Sequence, residues 1–121
     1  MFTVIVTGSR SWTEWEKVWN QLEELYTEHQ ELWVLHGGCP TGADNFAEMW
    51  VRSWYFPRKI GQTVFPANWD LHGKAAGPIR NREMAQADAD LCLAFPLGES
   101  RGTWNCVNEC KKAGIPVKVI K

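Results

Sequence analysis

Short apolar runs alternating with amphipathic stretches predict an α/β fold. The expected architecture is a doubly wound, mostly parallel five-stranded sheet in the order 3-2-1-4-5, with helices on both faces. Three observations carry this. Five apolar, strand-like runs are each separated by a helical pattern, from Phe2–Thr7 to Val117–Ile120. Leu32–Leu35 and Leu91–Phe95 read as strands covered on both faces. Glycine-bearing turns follow the first, second and fourth runs, where a strand hands over to a helix.

Phe2-Thr3-Val4-Ile5-Val6-Thr7 is β-rich and apolar, and is the expected central strand; it ends in Gly8-Ser9-Arg10-Ser11-Trp12. Thr13-Glu14-Trp15-Glu16 has the form of a capping box that opens the first helix. Trp15, Val18, Trp19, Leu22, Leu25 and Tyr26 then form one apolar stripe. The second strand, Leu32 to Leu35, leads through His36-Gly37-Gly38-Cys39-Pro40-Thr41 into a helix with Ala43, Ala47, Trp50, Val51 and Trp54 on one face. Thr41 is its expected N-cap. Gln62–Pro66 reads as a short strand whose proline marks an end or a sheet edge. Ala67 to Gly77 is a long polar loop. Pro78 opens the third helix, which runs to about Gln86. The fourth strand is Leu91–Phe95, the fourth helix Thr103–Lys112 with Gly114 as its stop, and the fifth strand Val117–Ile120. In this Rossmann-like order the strand sequence reverses between the first and fourth strands. Ligands of such sheets bind in that crevice, beyond the carboxyl ends of the strands. The three glycine turns and the 67–77 loop all emerge at that edge.

The chain has 121 residues, enough for one domain over 1–121 with its own core. A net charge of −1 implies no broad basic surface for duplex nucleic acid. No apolar run approaches the roughly 20 residues of a membrane span. No secretory leader precedes the first strand, so a cytoplasmic location is expected. Cys39, Cys92, Cys106 and Cys110 read as reduced thiols, with Cys92 inside an apolar run and Cys106 and Cys110 packing the core, and no metal or other cofactor is expected. Eight tryptophans are many for this size. Those on the first two helices exceed what the core readily hides, which predicts a homo-oligomer.

The candidate binding residues follow from fold position. Gly8, Ser9 and Arg10 offer N–H groups, a hydroxyl and a guanidinium that suits phosphate oxygens. Gly37, Gly38, Thr41, Gly42 and Asp44 surround a helix N-terminus, whose free N–H groups favour an anion, and Asp44 suits ribose hydroxyls. Capping would account for Thr41 and Asp44 equally. Arg80 shares a helix face with Met84 and needs a partner there, either a ligand or a carboxylate such as Asp88 or Asp90. Asn81 adjoins it as a second ribose contact. Gly102 and Thr103 start a helix beside the switch point and form a second anion site. His36 reads as a structural hydrogen-bonding group, and Trp69 as a platform for a base. No nucleophile is identifiable. For an enzymatic alternative, an N-glycoside hydrolase, Asp44, Glu83 or His72 would activate water. For single-stranded nucleic acid, the weaker alternative, Arg10, Lys74, Arg80, Arg82 and exposed tryptophans would serve.

Thr7-Gly8-Ser9-Arg10, His36-Gly37-Gly38 with Thr41-Gly42-Ala43-Asp44, and Gly77-Pro78-Ile79-Arg80-Asn81 with Met84 resemble, in order, the YspA-like, cpYpsA-related branch of the SLOG superfamily. That superfamily includes the Lonely Guy phosphoribohydrolases and the DprA/Smf proteins. The resemblance implies a nucleotide or ADP-ribose-like phosphorylated ligand, with Arg80 beside it. Lonely Guy enzymes carry a catalytic glutamate in Pro-Gly-Gly-x-Gly-Thr-x-x-Glu. Here Gly102-Thr103 matches that motif, and Cys106 stands at the glutamate position.

Overall fold

The structure, a computed structural model, describes residues 1–121. Its centre is β1 (Thr3–Gly8), flanked by β2 (Leu32–His36) and β4 (Leu91–Phe95), with β3 (Ile60–Val64) and β5 (Val117–Val119) at the edges. The order is β3-β2-β1-β4-β5 and every pairing is parallel, with Ile5 opposite both Leu35 and Cys92. The expected fold class is therefore the observed one.

Alternation along β1 divides the core in two, because successive strand residues face opposite sides. Val4 and Val6 meet helices α1 (Trp15–His29) and α2 (Gly42–Trp54), packing with Val18, Leu22, Ala47 and Trp50. Ile5 points the other way, toward α4 (Ala76–Ala85) and α5 (Arg101–Lys112), packing with Met84, Cys92, Cys106 and Cys110. Trp50 is wholly buried, and its indole N–H donates to Glu23 Oε1 at 3.0 Å. The same oxygen accepts from Arg58 at 2.7 Å, so the one polar atom of the largest core side chain is satisfied. Trp12 is also buried, whereas Trp15, Trp33, Trp54 and Trp69 are more than a third exposed.

Several local expectations are corrected. The capping box at Thr13 does not form. The cap position of α1 is Glu14, with no side-chain cap, and the Trp12 indole N–H takes the Glu14 carbonyl at 2.9 Å. Burying the Trp12 ring sets this turn in place of Thr13. Thr41 occupies the cap position of α2 with extended backbone, but its hydroxyl caps nothing. β3 lies two residues earlier than expected because Ile60 is drawn into the core. It is an edge strand, as Pro66 suggested.

The 67–77 loop is structured. It holds the one-turn helix α3 (Trp69–His72), capped by Asn68 Oδ1 accepting from Leu71 N–H, then a 3₁₀ turn, Gly73–Ala75. α4 begins at Ala76, so Pro78 is its third residue rather than its first. The N–H groups of a first turn have no helical acceptor, so proline's missing donor costs nothing there. α5 begins at Arg101, with Ser100 in the left-handed region (φ 45°) at its cap position; Thr103 lies inside the helix and caps nothing.

No helix is long and apolar enough to cross a membrane.

Candidate functional site

The carboxyl ends of β1, β2 and β4 and the amino ends of α4 and α5 surround a cavity of 530 Å³. This is the size of a small-ligand site. Nine expected residues line it: Gly8, Ser9, Arg10, Gly37, Asp44, Arg80, Asn81, Gly102 and Thr103. Gly38 instead lines a smaller adjoining cavity of 240 Å³, which shares Arg10, Gly37, Cys39, Trp69 and Arg80 with the first.

Thr41 and Gly42 line neither cavity. Thr41 is exposed beyond the turn. Gly42 is buried at φ 75°, and a Cβ there would overlap the Ser9 carbonyl and lie 2.7 Å from Arg10 Cα. Its smallness lets α2 dock on the turn after β1.

Hydrogen bonding separates N–H groups already in use from those that are free. Ser9 N–H donates to the Phe95 carbonyl at 3.0 Å. Gly37 N–H donates to Asp44 Oδ2 at 3.1 Å, and Gly38 N–H to His36 Nδ1 at 3.0 Å. These donors were expected to hold phosphate; they hold the protein instead. At α5 the situation is reversed. The first helical bond runs from Trp104 N–H to the Ser100 carbonyl at 3.1 Å, and the N–H groups of Arg101, Gly102 and Thr103 find no acceptor. Ser100, which would ordinarily cap them, turns its hydroxyl to Leu97, accepting from its N–H and donating to its carbonyl, both at 3.0 Å. An uncapped N-terminus of a twelve-residue helix opens into the cavity, presenting donors and the positive dipole end together.

Arg80 has neither of the carboxylate partners considered for it. Its Nη1 donates to the carbonyls of Gly37 at 3.1 Å and Phe65 at 3.3 Å, and its Nε to Asn81 Oδ1 at 2.8 Å. Nη2 makes no hydrogen bond, so the guanidinium is fixed in direction and keeps one free edge. Asp90 instead accepts from Thr3 N–H. Asn81 is buried, and its Nδ2 donates to the Gly102 carbonyl at 3.2 Å and Asn105 Oδ1 at 2.9 Å. Arg80 and Asn81 therefore tie α4 to the turn after β2 on one side and to α5 on the other.

Arg10, Lys74, Arg80 and Arg101 line the cavity against a single carboxylate, Asp44. Asp44 is buried and its Oδ2 also accepts from Cys39 N–H at 3.4 Å. Burial pushes its carboxyl pKa up, against the opposing pull of the Cys39 N–H and Arg80. Burial and the Asp44 carboxylate likewise push the Cys39 thiol up, more than Arg10 and Arg80 pull it down, so Cys39 is a thiol and a poor nucleophile. Arg10 is exposed and sits 6.0 Å from the Trp69 ring centroid. His36 is the structural group expected of it: wholly buried, it accepts from Gly38 N–H at Nδ1, which places its proton on Nε2, 2.8 Å from Gln62 Oε1.

Among the groups considered for hydrolysis, Glu83 and His72 lie outside the cavity and only Asp44 lines it. Cys106 is buried in the core and does not reach the cavity. Five polar lining groups escaped sequence reasoning: Thr7, Cys39, Ser100, Arg101 and Asn105. Arg101 and Ser100 were readable as residues flanking a helix start. Asn105 carried no signal, since its inward direction depends on where α5 begins.

The chain was compared with known proteins. A family model described as "YAcAr: YspA, cpYpsA-related SLOG family" matches residues 2–72. The Gene 61 protein of Mycobacterium phage D29 is 48% identical over 122 residues, covering 97% of this chain and 94% of the phage protein. Two crystal structures of the C-terminal domain of a Pyrococcus furiosus hydrogenase share the fold. Their TM-scores are 0.54 and 0.55 at 18% and 15% identity, covering 99% and 98% of this chain and 91% of each domain. At that identity the likeness concerns the fold alone.

Proposed function

The chain belongs to the YspA, cpYpsA-related SLOG family, and on that premise we propose that it binds a phosphorylated nucleoside, a nucleotide or ADP-ribose-like molecule, as a sensor or binding module. One observation carries the reading. The uncapped start of α5 opens into a cavity lined by four cationic side chains and one carboxylate. Three unpaired N–H groups, a helix dipole and flanking cations are what a phosphate requires.

In this reading the phosphates sit against Gly102 and Thr103, with Lys74 and Arg101 at the mouth and the free edge of Arg80 below. Trp69, half exposed at the rim beside Arg10, offers a face for a base. Asp44 is the acceptor for a ribose hydroxyl. N-glycoside hydrolysis has less support, because the glutamate position of the Lonely Guy motif is a core cysteine and the remaining carboxylate already accepts two N–H groups.

The test is calorimetry with nucleoside diphosphates, ADP-ribose and the corresponding nucleosides. The reading expects binding that needs the phosphates and weakens in Lys74→Ala and Arg101→Ala, both exposed positions. Release of free base during incubation would favour the hydrolase instead.

A further inference from the structure

We propose that Cys92, Cys106 and Cys110 form a three-thiolate site for a soft, thiophilic metal ion, with Cu(I) the ion that fits it best. The site is separate from the cavity: none of the three residues lines it.

Cys106 and Cys110 are one turn apart on α5, and Cys92 meets them from β4 on the sheet face that α5 covers. The three sulphurs all lie within 4.8 Å of one another and all three side chains are buried. An ion at their centre would lie within about 2.8 Å of each, and small χ1 rotations would bring that to the ~2.3 Å of a metal–thiolate bond. Chain connectivity does not require this arrangement; it joins a strand residue and two helix residues more than ten positions apart.

The donor set selects the ion. No histidine or carboxylate joins the three sulphurs. A structural zinc site is closed by four ligands, and burial leaves no water to supply the fourth. Soft thiolate donors without nitrogen or oxygen favour Cu(I), which accepts three-fold coordination. Metal binding displaces the three thiol protons to solvent.

The experiment is competition for Cu(I) between the anaerobic, thiol-reduced protein and a chromophoric Cu(I) chelator. The wild-type chain and Cys39→Ser should each retain one equivalent. Cys106→Ala and Cys110→Ala should lose more than about 100-fold in affinity, beyond what removal of a mere outer-sphere partner costs, while keeping wild-type circular dichroism. Should those variants not fold, copper absorption spectroscopy on the wild-type complex decides, with three sulphur neighbours and no nitrogen expected. Surrender of Cu(I) to the chelator by the wild type, retention that depends on Cys39, or fewer than three sulphur neighbours would overturn the proposal.

Discussion

Arg80 Nη1 donates to the carbonyl of Gly37 at 3.1 Å, and a Cβ on Gly37 would overlap that same nitrogen and lie 2.9 Å from Asp44 Oδ2. The glycine turn after β2 is thus shaped around an arginine 43 positions later. Its missing side chain is the space the guanidinium occupies.

Gly37→Ala should therefore push Arg80 out of place. Overpacking of this kind costs about 1–3 kcal/mol, and the free edge of the guanidinium loses its aim. Urea unfolding should show that loss, and calorimetry a weaker phosphorylated ligand. Stability and affinity both unchanged would mean that Arg80 has another berth.

Two other glycines should respond in opposite ways. A Cβ on Gly102 meets no protein atom within 4 Å, whereas one on Gly42 overlaps the Ser9 carbonyl at a positive φ. Gly102→Ala, inside a helix, should stabilise the protein by about 0.5–1 kcal/mol while placing a methyl group where a phosphate would approach. Gly42→Ala should destabilise, by more than the about 1–2 kcal/mol of a left-handed alanine alone. Denaturation paired with titration checks both. Gly102→Ala binding as tightly as wild type would remove the phosphate from α5.

Asp44 gives the cavity a pH dependence of defined sign. Its burial raises the carboxyl pKa above the ordinary 3.8, so the folded chain binds this proton more tightly than the unfolded one. Its contribution to stability then falls as pH rises from 3.8 to the raised folded value, and is level above it. Relative to Asp44→Asn, the wild type should be less stable at neutral pH than near pH 4. Urea unfolding across that range measures this difference, and one that does not vary with pH would contradict it. Affinity for inorganic pyrophosphate, which makes no ribose contact, should strengthen in the same acidic direction, as the carboxylate beside it is neutralised.

Trp69 is half exposed, and its ring covers Gly77, lying 3.3 Å from the Cβ position there. Trp69→Ala should cost little stability. If a base stacks on it, affinity should fall by about 1–3 kcal/mol, and the nucleotide should lose its preference over inorganic pyrophosphate. Fluorescence quenching in the wild type, absent in the variant, is the direct readout. Equal affinities would place the base elsewhere.

The sheet order and the edge that carries the cavity were legible because they follow from period-2 and period-3.6 patterns and from short right-handed crossovers. Val4, Ile5 and Val6 alone signal a strand buried on both faces. The allocation of donors was not legible. Whether Ser9, Gly37 and Gly38 N–H groups face a ligand or an internal acceptor depends on contacts with Phe95, Asp44 and His36, which only the assembled fold brings near. The same holds for Cys92, whose approach to Cys106 and Cys110 depends on how α5 sits on β4. Helix starts misled for a local reason: Pro78 marks a first turn without fixing which residue of that turn it occupies, and α4 starts two residues earlier.

The central claim is that an anion occupies the open start of α5. Titrating the wild-type protein with a nucleoside diphosphate and with the same nucleoside lacking phosphate, then repeating both with Lys74→Ala/Arg101→Ala, tests it most directly. The account predicts saturable binding of the diphosphate alone, weakened at least about tenfold in the double variant, as befits loss of more than about 1.4 kcal/mol of charge-assisted contact. Equal binding of the bare nucleoside, or diphosphate binding indifferent to both cations, would contradict it.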